Sequence, residues 1–257
     1  MAEARLEHLR RPEMLGGEFE VALFPIGSTE PHADHLTYGT DTIAVRAFAE
    51  EVAVEANRRG ARCVLLPAMP YGNNENVQLC PWAMSLRPRT MIDFVTDVVD
   101  SVVRNGVRKI IIVNGHGGNT SVLQAALREL APKRDIFVGM AEPWALSTDV
   151  ENEITETDER GHACEIETSM MLHYAPEHVS MDEAKPTRIR KAIFSRPGSI
   201  FFVNPWHLYT VNTGIGDPTK ATAEKGAKMN AAAVDRLAQA LKELSDAPMD
   251  ELFPYVD

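Results

Sequence analysis

Short, uninterrupted apolar runs alternate along this chain with stretches whose apolar residues return at helical spacing. Val21 to Phe24, Arg62 to Leu66, Lys109 to Val113 and Ile136 to Met140 read as buried strands, the third being the strongest. Asp41 to Arg59 predicts a helix ended by Gly60, and Pro67 closes the strand that follows. Thr90 to Asn105 places Met91, Phe94, Val95, Val98, Val99 and Val102 on one helical face, and a further helix is expected over Thr120 to Leu130. Another begins near Glu165, and the last long one runs from Thr219 to Leu244. Buried strands separated by amphipathic helices are the pattern of a mostly parallel sheet covered on both faces, so the expected fold is a three-layer α/β/α. Two segments break the pattern. Tyr71 to Pro88 carries Asn, Gly and Pro without periodicity and reads as a long functional loop, and Ser147 to Arg160 is acidic and loop-like. With neither repeat nor linker, one domain over residues 1–257, with a core near 20–245, is the simplest organisation.

Composition narrows the partners. The chain has 257 residues, 44% hydrophobic and 25% charged, which is ordinary for a folded protein. Its formal net charge of −11 argues against nucleic acid and against anionic membranes, both of which favour basic surfaces. No apolar run approaches the roughly 20 residues that cross a bilayer, and Met1 to Arg5 lacks the apolar core of a secretory signal. The cysteines Cys63, Cys80 and Cys164 show no paired spacing, so reduced thiols in a cytoplasmic setting are expected.

Candidate chemistry gathers at strand ends. Glu30 and His32 stand two apart, so in an extended segment both side chains point the same way. Asp41 falls at a helix start, where capping alone would account for it. His116 follows the strongest strand directly, and ligands of open parallel sheets bind at the carboxyl ends of strands. Asn114-Gly115-His116-Gly117-Gly118-Asn119 also suits a phosphate cradle, but that reading calls for a basic partner and none is near in sequence. Carboxylates, imidazoles and glycines converging on strand ends point instead to divalent metal.

Four motifs in order then resemble the creatininase (creatinine amidohydrolase) family. They are Phe24-Pro25-Ile26-Gly27-Ser28-Thr29-Glu30-Pro31-His32 with His35-Leu36 and Gly39-Thr40-Asp41; Asn114 to Asn119; His162-Ala163-Cys164-Glu165-Ile166-Glu167-Thr168-Ser169; and Thr213 to Pro218 with Ala221 to Gly226. The resemblance implies a creatininase-like fold and two divalent ions per chain (zinc, manganese or iron), with Glu30, His32, Asp41 and His116 as ligands and Asp41 bridging. Creatininase carries a glutamate ligand at the position matching Gly118, and Glu165 is expected to supply the missing carboxylate. His162 matches the catalytic histidine and becomes the proton donor to the leaving nitrogen, with Glu167 orienting it or sharing the proton transfer. Substrate contacts are expected from Ser28, Asn119 and Trp144, with Trp82 and Trp206 unplaced, and Cys164 is read as a packing residue. The implied activity is metal-dependent hydrolysis of a C–N bond in a cyclic amide, a formamide or a small peptide, by a homo-oligomer of the hexameric creatininase type. Asn73-Asn74-Glu75-Asn76 and Cys80-Pro81-Trp82-Ala83 depart from the family's substrate loop, which argues against creatinine itself. The alternatives are another small cyclic or sugar-like substrate, or a non-catalytic metal-binding scaffold.

Overall fold

The computed structural model describes residues 4–15, 18–131, 135–194 and 200–255. Four strands, β1 (Val21–Ile26), β2 (Cys63–Leu65), β3 (Lys109–Asn114) and β4 (Phe137–Ala141), form one parallel sheet in the order β2-β1-β3-β4. β1 and β3 lie side by side in register from Val21 opposite Lys109 to Ile26 opposite Asn114, and every residue of both is buried. That is why these segments read as unbroken apolar runs rather than alternating ones.

The helices are α1 (Arg11–Leu15), α2 (Thr40–Arg58), α3 (Pro88–Arg104), α4 (Thr120–Leu130), α5 (Pro143–Ile154), α6 (Glu165–Tyr174), α7 (Trp206–Tyr209) and α8 (Ala223–Asp246). Alternate strand residues divide the core. Val21, Leu23, Ile111 and Val113 face α2 and α8, packing on Phe48, Val52, Leu237 and Leu241. Ala22, Phe24, Ile110 and Ile112 face α3 and α4, packing on Met91, Val95, Val99 and Leu123. The three-layer α/β/α expectation is met, with the sheet wholly parallel.

Chain direction across the sheet fixes where a ligand can sit. From β1 the chain crosses one way to β2, then passes back to β3 on the other side of β1. The loops leaving β1 and β3 therefore diverge, opening a crevice at their carboxyl ends.

Two elements differ from expectation. Ser147 to Arg160, read as loop, is helical up to Ile154. Pro143 opens α5, and only Ser147 and Glu151 are buried, joined by a 2.6 Å hydrogen bond from Ser147 Oγ to Glu151 Oε1. A helix that buries a polar face leaves no apolar periodicity to read. The last helix begins at Ala223 rather than Thr219, because the Thr222 hydroxyl caps it by accepting the Lys225 N–H at 3.2 Å.

Candidate metal centre

The crevice between β1 and β3 holds Glu30, His32, Asp41, His116, His162 and Glu167. Glu30 and His32 come from the loop after β1, His116 from the turn after β3, His162 from the segment before α6, and Glu167 from the first turn of α6. Asp41 is the second residue of α2 and does not cap it: Gly39 stands at the cap position, and both Asp41 oxygens turn inward. Ligand atoms fall into three groups, each with its atoms within 4.8 Å of one another: Glu30, Asp41 and His116; His32, Asp41 and Glu167; Glu30, His32 and His162. Asp41 is common to the first two.

Each imidazole is pinned by a main-chain carbonyl, and since a carbonyl only accepts, the bonded nitrogen carries the proton. His32 Nδ1–H donates to Glu30 O at 3.0 Å, His116 Nε2–H to Asn73 O at 3.2 Å, and His162 Nε2–H to Pro31 O at 3.0 Å. The other nitrogen of each faces the carboxylates. His32 Nε2 lies 3.0 Å from Asp41 Oδ1; His116 Nδ1 lies 3.0 Å from Glu30 Oε1 and 3.1 Å from Asp41 Oδ2; His162 Nδ1 lies 3.6 Å from Glu30 Oε1. Orienting the ring through its far nitrogen is how proteins aim histidine at metal.

Both Glu30 oxygens and Asp41 Oδ2 are buried, and apart from the facing His116 and His162 nitrogens no donor among the described residues reaches them. Carboxylates are not buried bare, since the cost is several kcal/mol per ion unless a countercharge is present. In the metal-free chain protons supply it. Burial opposes a charge on His32, but the Asp41, Glu167 and Glu30 carboxylates outweigh that and push its pKa up to about 10. His116 is likewise raised well above the ordinary imidazole value, against burial, by Glu30 and Asp41. Buried carboxylate oxygens facing imidazole nitrogens that can give up their protons fit divalent cations, and zinc, manganese or iron all suit such a mixed set.

Glu165 is not part of this group. Its oxygens accept from the Glu156 and Thr157 N–H groups, the Thr157 hydroxyl at 2.7 Å and Lys225 Nζ at 2.6 Å. Two places along a helix turn a side chain by about 200°, so with Glu165 against α8 it is Glu167 that reaches the crevice. Glu167 Oε2 also accepts the Ala163 N–H at 2.5 Å, bracing the residue after His162. At Gly118 there is no space for a side chain: a Cβ would lie 2.4 Å from both Asn73 O and His116 Nε2. The Asn73 carbonyl lies where a side chain at position 118 would begin, and it orients His116.

Ser28 and Asn119, expected to meet substrate, are fully buried and serve the scaffold. Asn119 accepts the Asn73 N–H at 2.8 Å and donates to Gly27 O at 3.1 Å, while Ser28 Oγ accepts from Asn74 Nδ2 at 2.6 Å. Trp144 lines a cavity of about 580 Å³ together with Asp41, Glu167, Glu142 and Met229. Cys164 also borders it, its thiol pushed up chiefly by burial, as befits a packing residue. Two contributors gave no sequence signal: Asn73, which acts through its main chain, and Trp206, whose ring stands edge-on to His162 at 4.9 Å.

A parallel α/β sheet whose switch-point crevice gathers buried carboxylates and imidazoles defines a recognisable class of proteins. The chain belongs within it to the creatininase family, whose model, described as Creatinine amidohydrolase, matches residues 7–241. These are hydrolases. The chain is 29% identical over 221 residues to the mycofactocin precursor peptide peptidase of Mycobacterium ulcerans, covering 83% of this chain and 81% of that protein. It is 27% identical over 240 residues to the creatinine amidohydrolase of Pseudomonas putida, covering 87% and 89%. A solved structure from Bacteroides fragilis, described as a putative creatinine amidohydrolase, superposes with a TM-score of 0.88 at 30% identity, covering 97% of this chain and 99% of that one. Among the described residues no helix is long and apolar enough to cross a membrane.

Proposed function

We propose that this protein hydrolyses a C–N bond in a small amide, cyclic or peptidic, with two divalent ions held by Glu30, Asp41 and His116 on one side and by His32, Asp41 and Glu167 on the other. The observation that carries this is the sharing of Asp41 between two ligand groups while His162 Nδ1 faces them. When bound, such ions lower the pKa of water from about 15.7 toward about 7 and polarise a substrate carbonyl. His162 moves the transferable proton at Nδ1, taking it up from the attacking water and then releasing it, because its Nε2 proton is committed to the Pro31 carbonyl. Delivered to the leaving nitrogen, that proton removes the barrier to expelling an amide anion. Trp144 and the 580 Å³ cavity hold the rest of the substrate, a volume suited to a cyclic amide or a dipeptide. Creatinine is not the favoured substrate, since Asn73 and the loop after it are built differently from the family's substrate loop. Self-association and a cytoplasmic setting complete the reading; Cys63, Cys80 and Cys164 are all free.

The test is turnover by zinc- or manganese-loaded protein on a panel of cyclic amides, N-formyl amines and short peptides. Loss on chelation, restoration by metal and abolition by His162→Gln are expected. A fully loaded protein that hydrolyses none of them is a scaffold, and the proposal fails.

A further inference from the structure

Thr213 has φ of 69°, in the left-handed region where a β-branched residue is a genuine outlier. Glycine adopts that conformation freely, so the strain of a threonine here points to what its side chain does. The side chain is buried and its hydrogen bonds have one self-consistent direction. The Ala33 N–H donates to Thr213 Oγ1 at 3.1 Å, which leaves the hydroxyl proton to donate to Pro31 O at 3.0 Å. Pro31 O is the same oxygen that accepts His162 Nε2–H at 3.0 Å. The main chain beside Thr213 grips His162 as well: the His162 N–H donates to Ile215 O at 3.0 Å and the Ile215 N–H returns a bond to His162 O at 2.7 Å. Ala33 and Ala163, the residues after His32 and His162, are also left-handed, at 53° and 51°. Three outliers around one carbonyl mark a strained junction between the loop after β1 and the segment carrying His162, with the Thr213 hydroxyl at its centre.

We propose that Thr213 is a positioning residue: its hydroxyl holds the Pro31 carbonyl where it takes the Nε2 proton of His162, which keeps Nδ1 turned to the carboxylate group. The consequence for turnover rests on the role given to His162 above; the consequence for the ring does not. Zinc-loaded, ¹⁵N-labelled full-length protein reports the His162 tautomer in long-range ¹H–¹⁵N spectra, assigned with His162→Gln. Thr213→Val keeps the shape and removes the hydroxyl. It is expected to bind as much zinc as the wild type, to show His162 as a mixture of tautomers, and to lower kcat by about 10–100-fold at unchanged KM on whichever panel amide is hydrolysed. Thr213→Ser restores the Nε2-protonated ring and the rate. Should Thr213→Val not fold, Thr213→Ser against Thr213→Ala gives the same comparison. A wild-type tautomer in the variant lacking the hydroxyl overturns the proposal, as does a serine variant as impaired as the valine one, since methyl packing would then be the cause. If no panel amide is hydrolysed by the wild type, the functional reading fails while the tautomer measurement still decides this one.

Discussion

Single atoms decide the site. Glu165 and Glu167 are two residues apart, yet one pairs with Lys225 and the other faces His32 and Asp41. Glu167→Ala is therefore expected to lose at least one metal ion per chain by elemental analysis. Glu165→Ala keeps its metal and loses stability instead, by about 2–3 kcal/mol, as the Glu156 and Thr157 N–H groups lose their acceptor and Lys225 keeps only Glu156 as a charged partner. Equal metal loss in both variants contradicts the assignment. At Gly118 even one methyl group collides with Asn73 O and the His116 ring. Gly118→Ala is predicted to cost about 1–3 kcal/mol by overpacking and to weaken metal binding about 10–100-fold by turning His116; calorimetry and metal competition read the two effects separately.

Elements place these atoms. α8 carries a buried stripe of Met229, Ala233, Leu237 and Leu241 and packs against α2, α5 and α6, so its docking sets three walls of the cavity. Thr222 caps it, and Thr222→Ala is expected to lower stability by about 1 kcal/mol in denaturant unfolding with metal affinity unchanged. A larger loss accompanied by weaker metal binding would mean that the cap also holds the site. Legibility in the sequence followed burial. β1 and β3, covered on both faces, were plain as apolar runs, and α3 was plain from its one apolar stripe. α5 was hidden because what it buries is polar, and because Asp149 pairs with Arg236 of α8 at 2.6 Å, a contact no local pattern records.

Across the whole molecule, a crevice holding metal as proposed couples metal to protons. In the metal-free chain His32 is held to about 10 and His116 is raised, so both must release protons before binding metal. Apparent metal affinity is expected to rise with pH until it passes about 10, where His32 of the metal-free protein has lost its proton. For the metal-free protein the sign is opposite. A raised histidine pKa contributes stability that is fully present below 6.5 and is lost as pH climbs through about 10. Chelator competition and metal-free thermal melts across that window check both. An affinity that does not change with pH would show that the protons are not displaced.

The sequence by itself determined the order of the four strands and of α2, α3, α4, α6 and α8, because burial writes its period into neighbouring residues. It also marked Glu30, His32, Asp41 and His116 as chemical residues, because each follows a strand or opens a helix at the end where ligands bind, and it marked His162 only through the resemblance of its motif to the creatininase family. Tertiary structure alone decided which carboxylate of α6 turns inward, since that depends on the rotation of one helix against another. It alone brought the Asn73 carbonyl into the space at Gly118, and Trp206 and Thr213 to His162. Those contacts join residues far apart in the chain through packing and main-chain hydrogen bonds, which any residue type can make and no local pattern encodes.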